Sequence, residues 1–165
     1  MEILVGCSGF PYSKRHYYKN FNFVEYEDTY KSFAKKRTLE KMRESSGENF
    51  SFAVKAPLFI SDNVEFIKKF SNNVPQIEAE NIEQYGLFKD TVQNNKLTDL
   101  LFTQVEQLKG DAIIFYTSNK VYPAPQTIKN MNAYFKKIEE RSKNIDLFWH
   151  CFGFWDKDSI NEAIA

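Results

Sequence analysis

Short apolar runs alternate along this chain with stretches whose apolar residues recur every three or four positions. The first run is Ile3-Leu4-Val5, and the second is Phe21 to Tyr26 ("FNFVEY"). Phe50 to Val54 ("FSFAV"), Ala112 to Tyr116 ("AIIFY") and Ile145 to Trp149 ("IDLFW") follow. Short runs rich in β-branched and aromatic side chains read as strands. The third and fifth alternate; the others read as buried on both faces, as strands of a parallel sheet are.

The intervening stretches carry helical spacing. Leu97, Leu100, Leu101, Val105 and Leu108 form one i, i+3, i+4 stripe, and Ile128, Met131, Phe135 and Ile138 form another. Asp62 with Glu65 has capping-box spacing before Phe66, Ile67 and Phe70, and Ser159 with Glu162 repeats it near the end. A weaker pattern at Leu39 to Met42 and a looser one over Ile77 to Val92 also predict helix. No helix is predicted between the first two strands. Strands alternating with helices in this order define an α/β chain with a parallel sheet. Residues 58–109 are more than one crossover needs; they predict two or three helices and a candidate lid. Residues 1–165 read as one domain, without an internal repeat or a low-complexity segment.

Composition narrows the partners. The chain has 165 residues, enough to bury about two-thirds of its unfolded surface. Its 16% aromatic content is high, which argues against disorder. Lys+Arg and Asp+Glu both number 22, and a balanced charge does not favour nucleic acid, whose binders usually carry a cationic excess. Cys7 and Cys151 are too far apart and too few for a disulfide framework, and read as reduced thiols of a cytoplasmic protein. No apolar run approaches the roughly 20 residues of a membrane helix, and the amino terminus lacks the pattern of a signal peptide.

Candidate chemistry sits where strands end. Gly6-Cys7-Ser8-Gly9 has neither dinucleotide-loop nor Walker spacing, leaving a tight turn or an anion nest. Cys7 reads as a buried, inert thiol, since neither His16 nor His150 is placed beside it. Glu25 and Glu27 share one face of the second strand; paired carboxylates suit a metal or acid–base work, and equally a solvated strand end. Lys55 ends the third strand before Ala56-Pro57, at the carboxyl edge where parallel α/β folds bind ligands. His150 follows the fifth strand among aromatics and reads first as a packed residue. The two histidines offer no His-rich metal site, and no cofactor motif is present.

Together these strand ends resemble the DUF72 family of YecE-like proteins. Val5-Gly6-Cys7-Ser8-Gly9-Phe10 with Tyr12 resembles the family's V-G-T-S-G-W-x-Y, and Tyr17-Tyr18 resembles its F-Y. Phe23-Val24-Glu25 with Thr29-Tyr30 is similar to a compressed F-x-x-V-E-x-N-x-T-F-Y. Phe50 with Phe52 to Pro57 closely resembles F-x-F-x-x-K-x-P. The family's Asn after the second-strand Glu is replaced by Glu27. Its L-F-Q-L-P becomes Ile114 to Ser118, and its E-x-R-H-x-S-W becomes Phe148 to Phe154, without the acid and the Arg.

The resemblance implies a TIM-barrel-like parallel sheet, with a site at the strand carboxyl ends built from Ser8, Tyr12, Glu25, Tyr30 and Lys55, and His150 at the same edge. Glu25 and Lys55 would carry catalysis, as base or metal ligand and as anion partner. The ligand would be small and polar or anionic: a sugar, a nucleotide or a phosphate-bearing molecule. Finding Glu25 and Lys55 within about 4 Å in one pocket would favour that site. Eight βα units need about 250 residues, whereas five strands are legible, so the expected barrel is incomplete. A fragment, a rearranged barrel or completion by a partner, including a second copy, would each account for that. A non-catalytic binding or assembly protein is the alternative function.

Overall fold

The computed structural model describes residues 3–71 and 74–164. Five strands, β1 (Gly6–Ser8), β2 (Phe23–Tyr26), β3 (Ser51–Lys55), β4 (Ala112–Thr117) and β5 (Asp146–Cys151), form one sheet in sequential order. Every neighbouring pair is parallel, and β1 does not pair with β5, so the sheet stays open. This is the strand order of a barrel wall.

Helices α1 (Lys14–Asn20), α2 (Lys36–Ser46), α3 (Leu58–Ser61), α4 (Val64–Ile67), α5 (Val92–Leu108), α6 (Pro125–Ile138) and α7 (Lys157–Ala163) fill the connections. Val24, Tyr26, Phe52, Val54, Ile113 and Phe115 point to the helical side and are buried. Phe115 is fully enclosed, with its ring 5.3–5.8 Å from those of Phe88, Tyr134 and Phe135. The registers Ser8↔Glu25↔Ala53 and Lys55↔Ile114↔Phe148 place alternate residues on the opposite, concave face.

Several sequence expectations shift. The first strand lies three residues later than Ile3-Leu4-Val5, and those three side chains are exposed rather than buried. The cause is β2, whose pairing starts with Phe23 opposite Gly6. Val5 N–H is instead taken by the Asn22 side chain at 2.7 Å. The expected loop before β2 contains α1. Its buried Tyr17 accepts from Cys7 N–H at 2.6 Å and donates to the Phe23 carbonyl at 2.9 Å, bracing β1 against β2. The capping residues are Asn63, accepting from Phe66 N–H, and Asp156, accepting from Ser159 N–H, each displaced from the expected box.

The helix expected over Ile77 to Val92 is a 3-10 segment, Ala79–Gln84, followed by a loop with positive φ at Gly86, Leu87 and Phe88. The single turn α3 closes one helical bond, from Asp62 N–H to the Leu58 carbonyl, and leaves its later carbonyls without helical partners. Gly86, Leu87 and Phe88 N–H groups donate to Phe59, Asp62 and Ile60 carbonyls at 2.7, 3.0 and 2.8 Å. That pairing satisfies α3 and drops Phe88 into the core. A Cβ on Gly86 would lie 2.1 Å from the Asp62 carbonyl oxygen, which explains the glycine. Residues 58–62 are all buried, so the start of the long excursion is core.

Phe115→Ala removes the ring shared by this cluster. Denaturant unfolding should show a loss of about 3–5 kcal/mol, and a loss below about 1 kcal/mol would contradict the packing described.

Candidate functional site

Each parallel strand presents a side chain to the concave face near its carboxyl end: Ser8, Glu25, Lys55, Tyr116 and His150. The middle three form one unit. Lys55 Nζ lies 3.9 Å from Glu25 Oε1, and both side chains are mostly buried. The Tyr116 hydroxyl donates to Glu25 Oε2 at 3.1 Å. The Lys55 ammonium also sits 3.8 Å from the Tyr116 ring centroid and 4.4 Å from that of Tyr30. Ring faces attract a cation more strongly where water is excluded. Glu25 Oε1 is buried with no hydrogen-bond partner among the described residues, although it faces the ammonium.

Backbone contacts fix this unit. Buried Thr29 donates from Oγ1 to the Lys55 carbonyl, tying the 3-10 turn Asp28–Tyr30 to the end of β3. That turn holds Tyr30 against Lys55. Ser61 Oγ donates to the Tyr116 carbonyl at 2.6 Å, and Ser118 donates to buried Asp62 through Oγ at 2.7 Å and through N–H at 3.2 Å. Burial pushes the Asp62 carboxyl up, while the hydrogen bonds from Ser118 and Asn63 oppose that shift. Lys55 and Tyr30 line a cleft of about 630 Å³ with Glu27, Asp28 and Lys31; Glu25 lies within the expected distance of Lys55 but is not among the residues lining that cleft.

The other predicted residues lie around this centre. Ser8 Oγ donates to Glu27 Oε2 at 3.2 Å. Gly9 has φ +69°, and a Cβ there would meet Glu27 Oε1 at 2.6 Å, so the glycine admits that carboxylate. Tyr12 packs 5.1 Å from His16 and 5.7 Å from Tyr17 between ring centroids, over α1. His150 lies 4.9 Å from Tyr116 and stacks 4.4 Å from Phe152, at the exposed rim. Sequence reasoning missed Tyr116 as a site residue. Its signal was the period-two alternation with Ile114, which puts it on the same face as Lys55. Among the described residues, no group of three or more His, Cys, Asp or Glu side chains could hold a metal ion. No described helix is long and apolar enough to cross a membrane.

The fold is that of a parallel α/β protein with a polar cluster at the strand ends. The chain belongs to the DUF72 family, whose model, "Protein of unknown function DUF72", matches residues 13–143. Among solved structures, it is similar to a DUF72 family protein of Enterococcus faecalis at 13% identity, covering 98% of this chain and 94% of that chain with a TM-score of 0.34. It is also similar to a DUF72 family protein of Thermotoga maritima at 12% identity, covering 97% and 95% with a TM-score of 0.29. A comparison with curated proteins found no match.

Burial pushes Tyr30 and Tyr116 up to about 12, with further contributions from Asp62 at Tyr30 and the hydrogen-bonded Glu25 at Tyr116. Burial likewise pushes Tyr18 up to about 12. A raised folded pKa stabilises the fold while the phenol is neutral, and that contribution disappears as pH rises from about 10 through about 12. Unfolding midpoints should therefore fall across that window, with tyrosinate absorbance lagging behind free tyrosine. Complete ionisation of all tyrosines near pH 10 in the folded protein would contradict the buried site.

Proposed function

We propose that the carboxyl edge binds a small polar or anionic ligand, such as a sugar, a nucleotide or a phosphate-bearing molecule. One observation carries this reading: an ammonium resting on two tyrosine rings beside a buried carboxylate oxygen that has no hydrogen-bond partner among the described residues. At 3.9 Å the two charges attract without forming a direct hydrogen bond. A ligand hydroxyl between them can donate to Glu25 Oε1 and accept from Lys55. A phosphate or carboxylate of the same ligand can take the remaining Lys55 donors.

In a reaction, Glu25 would act as general base on that hydroxyl, and Lys55 would stabilise the resulting negative charge. Tyr30 and Tyr116 would supply flat walls and, as neutral phenols, hydrogen bonds. Ser8 and His150 would contact the outer parts of a larger ligand, and Tyr12 would bound the mouth on the α1 side. A cytosolic setting is in keeping with Cys7 and Cys151, both free thiols.

The test starts with mass spectrometry and metal analysis of the purified protein. Thermal shift assays then compare hexose phosphates, pentose phosphates and nucleoside monophosphates with unphosphorylated sugars. A ligand at about 100 times its Kd adds about 2.7 kcal/mol of stability. Lys55→Ala and Glu25→Gln should each weaken binding at least tenfold, or about 1.4 kcal/mol. Affinity unchanged from the parent in both variants, or no binder in the panel and none co-purified, would contradict the reading.

The alternative is a non-catalytic assembly protein completed by a partner chain. It draws on the unpaired edge of β5, where Phe148, Phe152 and Phe154 are 53%, 48% and 78% exposed. Unpaired edges beside apolar surface favour association. Light scattering would show a mass near twice 19.4 kDa if the partner is a second copy. A stable monomer at high concentration would contradict self-completion.

A further inference from the structure

The chain's balanced charge conceals a cationic cleft on the helical side of the sheet. A cavity of about 850 Å³ between α1 and α2 is lined by Lys14, Arg15, Lys19, Lys35, Arg37 and Lys41, with Glu44 as its one carboxylate. None of the six cations forms an ion pair among the described residues; those pairs use other cations, Lys36 with Glu40 on the same helix included. Five of the six are exposed, and Lys14 rests 5.1 Å from the Phe10 ring centroid. Six like charges facing a single carboxylate repel one another, so a bound anion would relieve a cost built into the free protein.

The start of α2 adds to that cost. Lys35, Lys36 and Arg37 occupy the cap and first turn of α2, with no acidic residue there and no side-chain cap hydrogen bond. Cations at the positive end of a helix oppose its dipole. Tyr18 also lines the cleft, with its hydroxyl buried away from the surface. Thr38, Ser45 and Ser46 add hydroxyls to the walls.

We propose that this cleft binds a compact polyphosphate, a small molecule carrying several adjacent phosphoryl groups. Concentration of charge selects that class. Six cations face one concave space, Lys14, Arg15 and Lys19 from α1 and Lys35, Arg37 and Lys41 from the cap and body of α2. Linked phosphoryl groups place several negative charges within so small a space. A bilayer is a poorer fit, because the surface is concave and no large aliphatic side chain from α1 or α2 is among the exposed apolar residues. This site is separate from the carboxyl-edge cluster, since none of its lining residues belongs to the Glu25–Lys55–Tyr116 unit.

Calorimetric titration of the full chain with tripolyphosphate, pyrophosphate and orthophosphate tests the proposal. Tripolyphosphate should bind tightest and orthophosphate weakest, with affinity falling as salt rises past about 0.1 M, where the Debye length is about 10 Å. The exposed Lys35→Gln, Arg37→Gln, Lys41→Gln triple variant should weaken tripolyphosphate binding at least tenfold while circular dichroism stays unchanged. A Lys129→Gln, Lys136→Gln control on α6 should bind normally. Equal binding by triple variant and parent would overturn the site. Loss of binding in Lys55→Ala with retention in the triple variant would assign the anion to the carboxyl edge and also overturn it. Tighter binding of a single-stranded oligonucleotide or of anionic phosphatidylserine vesicles than of tripolyphosphate would overturn the compact-ligand assignment.

Discussion

The Lys55 ammonium is the constraint around which this protein is organised. A cation withdrawn from most of its water is costly unless other groups replace that hydration. Here the replacements come from three places in the chain: the rings of Tyr30 and Tyr116 and the carboxylate of Glu25, while Thr29 holds the Lys55 backbone in place through its carbonyl. Each depends on parallel pairing in register, because a one-residue slip would turn Glu25 or Tyr116 to the helical side. The charged site and the hydrophobic core are thus opposite faces of the same strands. Val54 and Phe115 point into the core, while Lys55 and Tyr116 point to the concave face.

The open sheet leaves the rim of the concave face exposed around this mostly buried cluster. In a closed barrel of this order, side chains from the remaining strands would pack over the concave face. In this structure β1 and β5 are unpaired on their outer sides, and Phe148 and His150 on the concave face remain exposed. The connections that brace the site, Ser61 to Tyr116 and Asp62 to Ser118, run between the loops after β3 and β4. The central strands are therefore locked together, whereas the edges rely on fewer contacts. This division places a fixed polar cluster beside an exposed sheet edge.

Much of the fold was legible because apolar runs and helical stripes carry their own period. The "FSFAV" and "AIIFY" runs mark β3 and β4 to within a residue or two, and the Leu97 to Leu108 stripe lies within α5. Ile3-Leu4-Val5 misled because apolar character says nothing about which residues a neighbouring strand will pair. The Ile77 to Val92 stretch misled because its conformation is dictated from a distance, by the unsatisfied carbonyls of α3. Glu25 and Lys55 were legible from position, each lying near a strand's carboxyl end. Tyr116 was hidden among the apolar residues of its strand, and its hydrogen bond to Glu25 spans 91 positions of sequence. The cationic cleft was invisible to a balanced total charge, because charge segregation arises only when α1 and α2 come together.

A double-mutant cycle on Glu25→Gln and Lys55→Met, read by denaturant unfolding, tests the central claim that these side chains form one coupled unit. Removing either alone leaves the other charge desolvated without its partner, and removing both eliminates that penalty. The structure predicts that the double variant is more stable than the sum of the single losses implies, by about 0.5–3 kcal/mol. Additivity within about 0.3 kcal/mol would contradict it, showing that the 3.9 Å approach carries no energy and that the two residues act independently.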